Sequence, residues 1–152
     1  MRLLVAGRGD ARPYKTTRLR FWREEPVQFL GEVADLVPVY AAADIFILPT
    51  IYDPFSNACL EALACGLPVI TTRSNGFSEV IQDGVHGSLV ENAGNLIGLR
   101  DAIRFWSDPL RRDAARSVNI EHGSQFDVSK NVAQTLDILT SFGGGSPSSR
   151  TA

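Results

Sequence analysis

The 152-residue chain has no apolar run approaching the ~18 residues of a membrane span, and so no helix able to cross a bilayer is expected. Basic and acidic residues nearly balance, 15 against 17. Without a basic stripe or aromatic residues interleaved with basic ones, nucleic acid has no electrostatic footprint to follow. Arg18, Arg20, Trp22 and Arg23 form a small basic cluster that Glu24 and Glu25 follow directly, which reads as a solvated helix face. The chain has two cysteines, Cys59 and Cys65. Their spacing of six puts them on different faces of one helix, so they make no metal pair and read as small hydrophobes. No Asp-x-Asp pair is present to hold a metal against a phosphate, and no divalent metal is expected. Gly7-Arg8-Gly9 opens like a dinucleotide fingerprint, but Arg12 stands where the third glycine belongs. The following strand also lacks a closing acid, which argues against a dehydrogenase. The clustered acids of a phosphoacceptor receiver domain and internal repeats are missing too.

What is present alternates. Strands are expected at Leu3–Ala6 (buried), Val27–Leu30, Ile45–Leu48, Val69–Thr71 and, at an edge, Ser88–Val90. Helices are expected from Pro13 to about Arg23, from Val33 to Ala43, from about Ser56, and over Phe77–Gln82. Three more follow, at about Gly94–Trp106, Leu110–Glu121 and Val128–Phe142. Strands that alternate with helices predict an α/β fold, a Rossmann-like parallel sheet covered on both faces, with its site outside the carboxyl ends of the strands. Residues 1–142 read as one domain, and the Gly/Ser-rich 143–152 as a flexible tail.

The richest stretch is Asp53-Pro-Phe-Ser-Asn-Ala-Cys-Leu-Glu61-Ala-Leu-Ala-Cys-Gly66-Leu-Pro68. It follows an apolar strand, turns at Asp53-Pro54, becomes helical near Ser56 and stops at Gly66-Leu-Pro68. The helix start offers the backbone amides of Ser56, Asn57 and Ala58 to an anion. Glu61 lies about one and a half turns further on. An anion seat between two carboxylates that can read hydroxyls suits a nucleotide sugar. The plainer alternatives are that Asp53 caps the helix and that Glu61 is a charge on an exposed turn. Against the latter, the apolar neighbours Ala58, Leu60, Ala62, Leu63 and Ala64 predict a buried setting in which Glu61 needs a partner. Glu79, a turn beyond Asn75-Gly76, either reaches the site or stabilises a helix start. His86 reads as a residue of a glycine-bracketed turn, with contact to a donor or acceptor as the alternative. His122 reads as a helix-end residue close to the last carbonyls.

The ordered series of Asp53-Pro-Phe-Ser, Glu61, Ala62-x-Ala64-x-Gly66-x-Pro68-Val69, Gly7-x-Gly9, Val27-x-Phe29-Leu30-Gly31, Tyr40-Ala-Ala-Ala-Asp44 and Asn75-Gly76-x-x-Glu79 resembles the donor-binding domain of family-4 glycosyltransferases. These are retaining enzymes of GT-B architecture, several of which build polysaccharide or lipopolysaccharide. The resemblance runs from Leu3 to about Phe142. It implies that Glu61 holds the ribose hydroxyls of a nucleoside-diphosphate sugar and that Asp53 contacts the sugar, which makes these two the residues nearest the chemistry. It further implies that Ser56, Asn57 and Ala58 face the diphosphate, and that Phe29, Leu30 and Gly31 line the base pocket. Asp53 stands where the family usually has Glu, and Ser56 where it usually has Gly.

The resemblance also implies that the chain begins at the second strand of a C-terminal domain. An N-terminal acceptor domain, and the Arg and Lys that clamp the diphosphate, would then be supplied in cis or in trans. Arg8 and Lys15 are the residues here that could stand in for that clamp, or else are solvated charges. The expectation is the donor half of a hexosyltransferase-type enzyme. It would be cytoplasmic, and at the inner face of a membrane if its acceptor is lipid-linked. The alternative is a non-catalytic nucleotide-binding module or an inactive fragment. No general base stands out, and base, sugar and acceptor stay open.

Overall fold

The computed structural model describes residues 1–10, 12 and 26–142. The helix expected from Pro13 to Arg23, Lys15, the cluster from Arg18 to Arg23 and the tail 143–152 lie outside the described residues. The chain forms two compact units, Met1–Val39 and Tyr40–Ala152.

In the first unit, β1 (Leu3–Ala6) pairs in parallel with β2 (Val27–Gly31). Leu3 lies opposite Val27 and Val5 opposite Phe29, and the register then shifts so that Ala6 meets Gly31. Gly7, at φ 139°, donates its amide to the Gly31 carbonyl at 2.8 Å, and Gly31 itself has φ 71°. The tight turn accounts for these glycines. β1 is not the buried strand expected: Leu3 is 44% exposed, and Leu4 and Val5 are half-buried.

α1 (Val37–Ala42) is shorter than the helix expected from Val33. Pro38 explains this, because proline fits a helix only in its first turn. Asp35 opens the helix by accepting the Val37 amide on Oδ1 at 3.0 Å.

The second unit is built on a parallel sheet of order β3-β4-β5, with β3 Phe46–Leu48, β4 Val69–Thr72 and β5 Gly87–Val90. Every residue of the central β4 is buried. Its side chains alternate between faces. Ile70 joins Val90, Ala102, Trp106 and Ala115 in one core, while Thr71 faces the buried Cys59 and Asn75 on the other side. The two buried threonines are satisfied across the sheet: the Thr71 hydroxyl donates to the Leu48 carbonyl at 2.8 Å and Thr72 to Thr50 at 2.7 Å.

α2 (Asn57–Ala64) covers one face of this sheet and α3 (Leu96–Trp106) the other. α4 (Pro109–Gly123) packs against both α2 and α3, and α5 (Val128–Phe142) follows. Asn95 caps α3 through the Gly98 amide at 2.9 Å, and Asp108 with Pro109 starts α4. The helix expected over Phe77–Gln82 is a single 3₁₀ turn, Gly76–Glu79, whose start Asn75 caps through the Phe77 amide at 3.0 Å. The parallel sheets and surrounding helices make an α/β fold of the kind the alternating pattern predicts. Among the described residues no helix is long and apolar enough to cross a membrane.

Candidate functional site

The loops that leave β3 and β4 at their carboxyl ends are zipped together. Asp53 and Asn75 form an isolated parallel bridge. The Gly76 amide donates to the Asp53 carbonyl at 2.9 Å. A Cβ on Gly76 would lie 2.0 Å from the Pro54 carbonyl oxygen, so only glycine allows this approach. Asn75 is fully buried and stitches the second loop to the sheet, its amide donating to the Thr71 hydroxyl at 3.0 Å. The Asp53 carboxylate folds back on its own loop, with Oδ1 accepting the Phe55 amide at 3.0 Å.

Ser56, not Asp53, caps α2. Its backbone is extended, at φ −87° and ψ 106°, and its Oγ accepts the Cys59 amide at 3.3 Å. The side chain is only 5% exposed, so the extra Cβ relative to glycine is turned into the protein as a cap. The amides of Asn57 and Ala58 belong to the first turn, where helix geometry supplies no internal acceptor. The positive end of the helix therefore opens next to the Asp53 loop.

Glu61 lies on an exposed face of α2, which corrects the expectation of burial. The apolar neighbours Ala62 and Leu63 are buried, but they point the other way on the helix. Glu61 does have the partner that burial would have demanded: the Tyr40 hydroxyl donates to its Oε2 at 3.0 Å. Tyr40 is 5% exposed and meets Phe46 edge-on at 5.9 Å between ring centroids. Burial first, and then the Glu61 carboxylate, holds its phenol well above the ordinary value, so it stays a donor.

Several sequence candidates have structural roles. Cys59 is buried and Cys65 half-buried, and burial raises both thiols above the ordinary range, so neither is activated. His86 does lie in the glycine-bracketed turn before β5, as expected, and it is buried there. It is 9% exposed, its Nδ1 accepts the Gln82 amide at 3.0 Å, and its ring stacks on His122 at 4.3 Å. His122 bonds across to the Val80 carbonyl at 2.7 Å instead of closing its own helix end. Glu79 is exposed at the close of the 3₁₀ turn. In the first unit, Arg8 pairs with the exposed Glu32 at 2.6 Å, and Phe29, Leu30 and Gly31 form the end of β2.

An open groove of about 520 Å³ between β5 and α3, lined by Arg73, Asp83, Glu91, Asn95 and Phe105 among others, includes neither Asp53 nor Glu61. Arg73 there is already paired with Glu91 at 3.5 Å. Among the described residues no group of three or more His, Cys, Asp or Glu stands together to hold a metal.

Tyr40 was legible only as an apolar helical position. The signal that could have found its role is that a tyrosine on a buried stripe needs a partner for its hydroxyl.

The parallel sheets and the helices around them match the α/β fold of GT-B glycosyltransferase structures. The chain belongs to the family described as glycosyl transferases group 1, whose model matches residues 1–106. It is 34% identical over 153 aligned positions to D-inositol 3-phosphate glycosyltransferase of Mycolicibacterium smegmatis, covering 91% of this chain and 32% of that protein. Among solved structures, HepE of Anabaena in complex with UDP and glucose superposes with a TM-score of 0.74 at 26% identity, over 92% of this chain and 40% of that one. WaaG, a glycosyltransferase involved in lipopolysaccharide biosynthesis, superposes with a TM-score of 0.77 at 23% identity, over 95% of this chain and 38% of that one. The chain spans between about a quarter and a third of the length of the first curated relatives it matches.

Proposed function

We propose that this chain is the donor-binding half of a retaining, family-4 type glycosyltransferase and holds a nucleoside-diphosphate sugar at the start of α2. The observation that carries the reading is the helix start itself. Along the chain its first-turn amides lie between Asp53, held by the loop that Gly76 pins, and Glu61, held by Tyr40. UDP bound by HepE makes a uridine nucleotide the first to try.

In this reading the amides of Ser56, Asn57 and Ala58 receive the diphosphate. As the glycosyl bond breaks, negative charge grows on the leaving phosphate, and dipoles fixed in advance stabilise it without reorganising. Glu61, an acceptor-only group when ionised, takes hydroxyl donors from the ribose, and Asp53 takes them from the sugar. Residues 1–142 act as the donor domain, and an acceptor domain supplied in cis or in trans provides the sugar's destination. The transfer serves glycan or lipopolysaccharide assembly on the cytoplasmic side of a membrane. A binding module without catalysis would keep the same donor contacts.

Calorimetric titration of the chain with UDP, GDP and ADP tests this, beside Glu61→Ala. Saturable binding is expected for one nucleotide, weakened in the variant by about 1–3 kcal/mol, the usual worth of a hydrogen bond to a charged group. Equal affinity in both proteins would remove Glu61 from the site, and no binding by the folded wild type would end the donor-site reading for this chain.

A further inference from the structure

We propose that Tyr40 is a positioning residue of the donor site: its hydroxyl clamps one oxygen of Glu61 and thereby aims the carboxylate at the vicinal hydroxyls of a ribose. The inference rests on the donor-site reading and adds to it a residue outside the loop and helix that carry the ligand.

The geometry separates this role from simple packing. Tyr40 ends up 5% exposed on α1, fixed edge-on against Phe46 of β3, and phenylalanine would fill that place equally well. What the hydroxyl adds is the 3.0 Å bond to Oε2 of Glu61, a residue 21 positions away on a different helix. An exposed glutamate has three rotatable side-chain bonds and by itself samples many rotamers. A rigid buried donor on one oxygen reduces that freedom before any ligand arrives, and preorganisation of this kind is what a precise polar site requires. The clamp engages Oε2 and leaves Oε1 with its acceptor capacity for hydroxyl donors. A charged acceptor held by a neutral donor can read a diol; two free carboxylate oxygens swinging in solvent read it poorly. The phenol is also a lasting donor, since burial and the neighbouring carboxylate both oppose its ionisation.

The test is titration of wild type, Tyr40→Phe and Glu61→Ala with UDP, GDP and ADP, each beside its 2′-deoxy counterpart, after circular dichroism has shown that all three proteins are folded. Wild type is expected to prefer the ribose form of its nucleotide by about tenfold, as one good hydrogen bond allows. Tyr40→Phe should lose about threefold or more of that preference, with affinity for the 2′-deoxy form unchanged. A packing role alone would weaken both forms together and would overturn the proposal. So would Tyr40→Phe with the full ribose preference while Glu61→Ala has lost it, an outcome that leaves the donor-site reading standing. If Glu61→Ala keeps the preference as well, or the folded wild type binds none of the three, the donor-site reading fails and the positioning role falls with it.

Discussion

The two ends of α2 are made in different ways. At the carboxyl end everything is close. Gly66 adopts φ 85°, its amide bonds the Leu63 carbonyl at 2.8 Å, and the Leu67 amide bonds Ala62 at 3.0 Å, which closes the helix in a Schellman turn. Gly123 of α4 comes so near that a Cβ on it would sit 2.8 Å from the Ala64 Cα. Asn119 of α4, fully buried, donates its side-chain amide to the carbonyls of Leu67 and His86 at 2.9 and 3.1 Å. At the amino end, by contrast, a single serine caps the helix, and the polar groups around it are shared with loops. The contrast teaches where rigidity is kept. A helix that is to present amides to a ligand is anchored at the far end, so that its near end can stay open without drifting.

The most damaging way to break this arrangement is to fill the anchor. Gly123→Val places branched carbon against the α2 backbone and should cost about 1–3 kcal/mol or more through overpacking. Urea unfolding monitored by circular dichroism would read it as a lower midpoint. A midpoint equal to wild type would mean that α4 yields easily and that α2 is not held from this end.

Much of this difference was readable beforehand, and the unreadable part has a physical reason. Gly66-Leu-Pro68 announced the helix stop, and the run from Asp53 to Glu61 announced the loop and helix start, because caps, turns and stops are chosen by residues within a few positions of one another. Pro38 could have shortened the second helix on the same local grounds. The anchor was not readable. Gly123 meets Ala64, and Asn119 meets Leu67, across more than fifty residues of chain, and nothing near either residue specifies its partner. Glu61 fell between the two cases. Its apolar neighbours correctly suggested that a partner was needed, but wrongly suggested burial, because a helix turns its faces within one or two residues.

The open end offers a finer test through Ser56. If its side chain acts only as a cap, Ser56→Ala should destabilise the protein by about 1 kcal/mol, and Ser56→Gly by only a few tenths. Ser56→Gly should also bind its nucleotide no more weakly than wild type, since the amide is kept and the buried hydroxyl does not face the ligand. Thermal unfolding and titration of both variants would check this. A Ser56→Gly protein that is as stable as wild type but has lost affinity would make Ser56 Oγ a ligand contact and undo the distinction between capping and binding at this end.

The smallest expected effect belongs to the anchor and separates the two ends by pH. His86 accepts the Gln82 amide on Nδ1, which only an unprotonated nitrogen can do, and its ring lies parallel to His122 at an interplanar angle of 7°. Burial, and then the neighbouring imidazole, lower its pKa from the ordinary histidine value. The folded state therefore takes up a proton at this site less readily than the unfolded chain does. The sign follows: the contribution is whole above the unfolded histidine value of about 6.5 and is lost as the pH falls from there through the lower folded value. Urea midpoints measured across that window should decline more in wild type than in His86→Asn, which has no imidazole to protonate. Because the His86 carbonyl shares Asn119 with Leu67, at the point where α2 is closed, the loss is one of anchoring. Equal declines in the two proteins would assign the acid sensitivity to other groups and leave the anchor indifferent to pH.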